Sequence, residues 1–318
     1  MERQQGICKT LFVSSHPLIF MTLKNTHLEH PEDLILTGNL DVLEALYDCE
    51  SNISVKIDGA PAIVWGTNPE TGNFFVGTKS VFNKRKIKIN ESHDDIDMNH
   101  GHVPEVCDIL HACFHFLPQI DGIIQGDFIG FGGQKVYRPN TITYEFPQTI
   151  LQKIIIAPHT MYHSDTKLSE AVVIDETPDL FTNEDVYVVQ PCVDKIHTGA
   201  EPPPVNMDKV QFMDKKQAQN VKQVINSLIK NNVELTDSVL FDLFHDIYLV
   251  NLYQMVIEIK EDLMESLIVH GCPQSYIETD DMVLETGEGF VLKSIFGMIK
   301  LVNREAFSYA NFTSSKFS

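Results

Sequence analysis

The residues best placed to do chemistry lie in Ser54–Gly66, SVKIDGAPAIVWG, where an apolar run delivers Lys56 to Asp58-Gly59 and a second apolar run leaves. Asp-Gly between two β-rich runs predicts a tight hairpin turn, because glycine tolerates the positive φ such turns need. Lys56 has two readings there. It is a solvated lysine at a strand end, or it is a nucleophile that bonds covalently to a nucleotide. The second requires an amine that sheds its proton near neutral pH, although a lysine ordinarily titrates at about 10.4. Nearby positive charge lowers that value, so other lysines are required around Lys56.

Downstream segments supply them in a telling order: GTKS at Gly77–Ser80, QGDFIG at Gln125–Gly130, TITYEF at Thr141–Phe146, EGFVLK at Glu288–Lys293 and MIKLVN at Met298–Asn303. With Lys56-Ile-Asp-Gly these segments resemble motifs I, Ia, III, IIIa, IV and V of the covalent nucleotidyltransferases, the superfamily of ATP-dependent DNA ligases, RNA ligases and mRNA capping enzymes. The resemblance implies a lysyl-AMP intermediate on Lys56, with Lys293 and Lys300 holding the triphosphate. Glu288 would bind Mg²⁺, a hard ion that takes oxygen or water ligands. Ile57, Asp58 and Gly59 would shape the nucleophile loop, and Lys79 and Asp127 would contact the nucleotide. Asp127 stands where the family usually has a glutamate at the ribose. Tyr144 and Phe146 share one strand face by alternation, and either ring could stack on the base. Motif V normally reads Lys-x-Lys, but Leu301 and Val302 follow Lys300, so the second lysine is missing; the covalent step would rest on Lys300 and Lys293, and a later step would be impaired or use Arg304 instead. Further stretches, THLEHPED, RPNTITYEFP and APHTMYH among them, are similar to ligase-like proteins of large tailed bacteriophages.

These residues need a scaffold. Short strands are expected at Ile53–Lys56, Ala62–Gly66 and Phe74–Lys79 as an antiparallel meander. A helix is expected at Val103–Leu117, further strands at Gly122–Ile129 and Thr141–Phe146, and a final hairpin of Gly289–Lys293 with Met298–Asn303 that must rejoin the sheet of Lys56. Thr26–Asp33 reads as polar and turn-like. Asn90–Gly101, acidic and rich in histidine, reads as a solvated loop, since no spacing there matches a recognised metal-ligand set. A Pro-rich break at Glu201–Pro204 precedes apolar residues at helical spacing over Met207–Lys230 and Ser238–His270. The fold class expected is α+β: a ligase-type nucleotidyltransferase domain of antiparallel sheets with flanking helices, carrying an inserted helical subdomain. Its first part spans residues 1–205 (motifs I to IIIa), the helical insertion 206–275 and the last part 276–318 (motifs IV and V). Few residues follow motif V, so a stand-alone catalytic domain is expected.

The net charge of −20 over 318 residues speaks against a broadly basic nucleic-acid surface. The acidic excess concentrates between residues 151 and 285, however, and the dense basic run Lys84, Arg85, Lys86 and Lys88 follows directly on motif Ia. That run is the candidate phosphate-contacting surface; its alternative is a solvated loop. Six scattered cysteines without a CxxC fit a reducing compartment. No apolar run suggests a signal peptide or membrane span, so a cytoplasmic protein is expected, in the host cytoplasm if phage-encoded. The leading function is ATP-dependent ligation of RNA or nicked duplex, joining 5′-phosphate to 3′-hydroxyl ends. The alternatives are a nucleotidyltransferase acting on protein or another 5′ end, and a nucleotide- or nucleic-acid-binding module without turnover.

Overall fold

The computed structural model describes residues 28–48, 52–174, 178–195, 207–278, 283–285, 287, 289–294 and 296–304. Among them the elements run α1 (Pro31–Ile35), α2 (Asp41–Tyr47), β1 (Asn52–Val55), β2 (Ala62–Thr67), β3 (Phe74–Gly77), α3 (His93–His100), α4 (Pro104–Phe116), β4 (Ile123–Phe131), β5 (Val136–Tyr137), β6 (Thr143–Glu145), β7 (Ile154–His163), β8 (Val172–Ile174), β9 (Val186–Val188) and β10 (Cys192–Lys195). They continue with α5 (Lys215–Lys230), α6 (Asp237–Phe244), α7 (Ile247–Glu265), β11 (Leu267–His270), β12 (Gln274–Glu278), β13 (Val283–Glu285), β14 (Phe290–Ser294) and β15 (Gly297–Leu301). The architecture is α+β, built on several antiparallel sheets.

The main sheet has the order β3-β2-β4-β7-β8, with β9 joining β7 in parallel. Strand alternation splits it into two faces. Ile63, Trp65, Ile124, Phe128, Ile154 and Ile156 pack with Leu110 and Cys113 of α4, while Val64, Phe75 and Ile123 pack on the opposite side with Val81 and Tyr162. A second sheet runs β13-β12-β6-β5, a third β1-β14-β15, and β10 pairs with β11.

The third sheet decides the geometry around Lys56. β1 does not continue a meander into β2; it pairs with β14, Ser54 opposite Val291 and Val55 opposite Phe290. The expected Asp-Gly hairpin is therefore absent, and Lys56–Pro61 crosses from one sheet to another. The β14–β15 hairpin does return to the strand before Lys56.

One face of β1-β14-β15, carrying Ile53, Leu292, Ile299 and Leu301, packs into a core shared with α1, α2, α5, α6 and α7. Ile225, Ile229, Leu249, Val250, Tyr253 and Val256 of the helical segment are buried in that same core. The segment thus covers the back of the sheet that leads to Lys56. Its periodicity runs one element too far: residues 267–270 form β11, not helix.

Two polar stretches fold differently from their composition. In THLEHPED, Pro31 opens α1, and Glu32 and Asp33 are buried. Glu32 accepts from Lys260 Nζ at 3.1 Å, and Asp33 from Arg304 at 2.8 Å; Arg304 also donates to Asn226 at 2.9 Å. Buried charges survive only when paired in this way. In Asn90–Gly101 the expected loop is α3, capped by Ser92, whose side chain accepts from the Asp95 N–H. No helix among the described residues is long and apolar enough to cross a membrane.

Candidate active site

The loop Lys56–Pro61 is fastened on three sides. The Lys56 N–H donates to the Gly289 carbonyl at 2.9 Å, extending the β1–β14 ladder by one residue. The Tyr144 hydroxyl accepts from the Asp58 N–H at 3.0 Å and donates to the Asp58 carbonyl at 3.1 Å, where Asn140 Nδ2 also donates at 3.0 Å. The Ala60 N–H donates to the Phe128 carbonyl at 2.9 Å, and the Phe128 N–H to the Pro61 carbonyl at 3.1 Å. Gly59 is required by proximity: a Cβ there would lie 2.2 Å from the Phe128 carbonyl oxygen. A side chain at that position would push the loop off β4. Ile57 is buried beneath it with Ile129, Ile142 and Tyr144.

This bracing leaves Lys56 mostly enclosed and ion-paired with the Asp58 carboxylate. By alternation Lys56 shares the face of Ser54, whose register partner across β14 is Val291 and, beyond it on β15, Lys300. Burial lowers the Lys300 pKa, and the Arg304 and Lys56 charges lower it further. Lys300 is thus a second cation near Lys56. Lys293 occupies the same face at the far end of β14, opposite Asn52, and its Nζ donates to the Ile174 carbonyl at 3.2 Å. It is the more distant of the two lysines along the ladder.

The main sheet contributes the opposing wall. Asp127 on β4 pairs with Ala62 on one side and Ala157 on the other. Burial, with repulsion from Asp58, raises its carboxyl to about 7, against the lowering effect of a hydrogen bond from Gly59 and of Lys79 and Lys56. His159 is the residue that pattern reading missed. Between Gly126–Pro158 and Gln125–Thr160 the β4–β7 register skips it, so it is the extra residue of a bulge, and bulges re-aim side chains near functional sites. Its ring Nε2 lies 3.4 Å from Gln125 Nε2, and its Nδ1 lies 2.6 Å from Thr160 Oγ1. Desolvation lowers the His159 pKa although part of the side chain is exposed, with Lys79 and Lys56 adding to the effect and Asp58 opposing it. Asp127 and His159 thus each feel the charges of Lys56, Asp58 and Lys79.

Other sequence-derived candidates stand elsewhere. Tyr144 and Phe146 do share a face, but that face is core: both are 2% exposed or less and leave no open ring to stack on a base. Tyr144 instead braces Asp58. Arg304 is committed to Asp33 and Asn226, and Val302, at the place of the missing motif V lysine, is buried. Arg304 is therefore no substitute for that lysine. Lys84, Arg85 and Lys86 are exposed, whereas Lys88 turns inward and donates to the Asn99 carbonyl at 2.7 Å. Glu288, the expected Mg²⁺ ligand, lies outside the described residues.

The sequence pattern of DUF6267, a family of unknown function, matches residues 25–245 and 215–316. The chain belongs to DUF6267. The match runs through the helical segment as well as the strands around Lys56. Comparison with curated proteins and with solved structures finds no match.

Proposed function

We propose that this DUF6267 protein is an ATP-dependent nucleotidyltransferase that forms a lysyl-AMP intermediate on Lys56 and passes the nucleotide to a polynucleotide end, as a ligase of RNA or nicked duplex. The observation that carries the reading is the arrangement at Lys56. An enclosed lysine on a braced loop lies between a cation-bearing sheet edge, with Lys300 on the same face, and a wall bearing Asp127, Lys79 and His159.

Each group has a task in such a reaction. Lys300 disfavours a proton on Lys56 and attracts the α-phosphate. The Lys56 amine, once neutral, attacks the α-phosphorus, a phosphoramidate bond forms as the bond to pyrophosphate breaks, and the amine proton leaves to solvent or to Asp58. Asp127 is the hydrogen-bonding partner for the ribose. Mg²⁺, held through Glu288, would supply charge neutralisation on the phosphate oxygens. The exposed Lys84, Arg85 and Lys86 are the surface offered to a polynucleotide backbone.

A second reading, nucleotide transfer that stops after the covalent step, is favoured by the buried Val302 and the committed Arg304, which leave motif V with one available cation. Incubation with α-³²P-ATP and Mg²⁺, followed by a denaturing gel, tests the shared first step. Label is expected on wild type and absent from Lys56→Ala, whereas label retained by Lys56→Ala moves the nucleophile elsewhere. Adding nicked DNA, nicked RNA and single-stranded RNA to the labelled protein then separates sealing from an arrested intermediate.

A further inference from the structure

Where α3 packs on α4, three metal-ligating side chains meet. Cys107 and His111 are four residues apart on α4, a spacing that stacks them on one helix face. Asp97 enters from the last turns of α3. Asp97 Oδ1 lies 2.9 Å from His111 Nε2 and 3.6 Å from Cys107 Sγ, and all three ligand atoms fall within 4.8 Å of one another.

We propose that Asp97, Cys107 and His111 form a binding site for a divalent transition cation of the zinc class, which staples α3 onto α4. Zinc bonds of about 2.3 Å to sulfur and about 2.0–2.1 Å to nitrogen and oxygen, set tetrahedrally, place sulfur about 3.6 Å from oxygen and nitrogen about 3.3 Å from oxygen. The two separations in the protein are within a few tenths of an ångström of those edges. A thiolate, an imidazole and a carboxylate select zinc or cobalt over magnesium or calcium, which take all-oxygen shells. Asp97 is exposed and Cys107 buried, so the fourth position opens to solvent.

His93 supports this arrangement from outside the ligand set. Its Nδ1 lies 2.7 Å from His111 Nδ1, and the two rings stack with centroids 4.9 Å apart. Metal-bound histidines commonly have the second nitrogen held in this way, which fixes the tautomer and the ring orientation. With His111 Nδ1–H donating to His93 Nδ1, the Nε2 lone pair faces the ion. His93 then carries its proton on Nε2, and the Cys107 thiol proton goes to solvent on binding.

The staple has a consequence for the basic run. α3 presents only Ile96 and His100 as buried residues. It also holds the preceding segment in place, since Asn99 accepts from Lys88 and donates to Asn90 Oδ1 at 2.9 Å. An ion bridging α3 to α4 thus helps to position the segment that begins with Lys84, Arg85 and Lys86 and continues through Lys88 to Asn90.

The test is a cobalt titration of the chelator-treated full-length chain, followed by absorption. A single saturating site is expected, with a thiolate-to-cobalt charge-transfer band and the intense visible bands of a tetrahedral ion, both displaced by zinc and unaffected by excess Mg²⁺. Cys107→Ser should abolish the charge-transfer band. His111→Ala and Asp97→Asn, at less buried positions where the fold is not at stake, should weaken cobalt binding at least 100-fold, and His93→Phe about 10–100-fold. A wild type without the charge-transfer band, a band that persists in Cys107→Ser, or unchanged affinity in folded His111→Ala each overturns the proposal. None of these readouts depends on nucleotide transfer.

Discussion

Asp127→Asn isolates the electrostatics of the wall facing Lys56. The native carboxyl is raised from 3.8 to about 7 by burial and by Asp58. Between those two values the folded protein keeps a proton that the unfolded chain has lost. Stability contributed by this group is therefore full in acid and falls as pH rises through the window from about 4 to about 7. At about 1.36 kcal/mol per pKa unit the ceiling on the loss is roughly 4 kcal/mol. Asp127 is only partly buried, and solvent screening reduces the expected loss to about 1–2 kcal/mol. Asparagine keeps an oxygen to accept from the Gly59 N–H but cannot ionise. Urea unfolding of both proteins at pH 4 and pH 8 gives the double difference, in which every other titrating group cancels. The variant should gain about 1–2 kcal/mol on the wild type between pH 4 and pH 8. A difference that is independent of pH, or that grows toward acid, would refute the account of Asp127.

Arg304→Met should cost about 3–5 kcal/mol, because Asp33 is left buried without its cation; a drop in Lys56 labelling with unchanged denaturation midpoint would instead place Arg304 in the reaction. Replacing residues 207–270 by a short linker should give a protein without a cooperative unfolding transition, since that segment covers the sheet carrying Leu292, Ile299 and Leu301; a soluble, cooperatively folded deletion would show that sheet to be self-sufficient. Neutralising Lys84, Arg85 and Lys86 to glutamine should lower the slope of log affinity for a polynucleotide against log salt by about three, while Lys56 labelling persists. An unchanged slope would assign those charges to solvent.

Local periodicity carried much of the scaffold. α4, β4 and the β14–β15 hairpin follow from alternation and helical spacing, and that hairpin's return to β1 was needed for Lys56 and Lys300 to share a face. What pattern could not carry were facts settled by distant partners. Asp58-Gly59 has the composition of a hairpin turn, but Tyr144, Asn140 and the Phe128 backbone hold it as a crossing between sheets. Glu32 and Asp33 look like solvated charges until Lys260 and Arg304 arrive from the other end of the chain. His159 enters the site through one unpaired residue in a ladder, for which composition holds no sign. Two signals were present and readable: Ser92 with Asp95 three residues on is the start of a capped helix, and Cys107 with His111 is a helical ligand pair whose third member comes from another element.

The pairing of β1 with β14 also sets an order of events during synthesis. At about 5–20 residues per second, the ribosome delivers Phe290 on the order of ten to fifty seconds after Val55, its partner in the ladder. The main sheet and α4 can close in that interval, since β2, β3, β4 and β7 lie nearer one another along the chain. The edge of β1 stays unpaired meanwhile, and the Lys56 N–H waits for Gly289. The surroundings of Lys56 are consequently complete only when the most distant strands emerge, and an edge left open that long is where a holding chaperone has most to do.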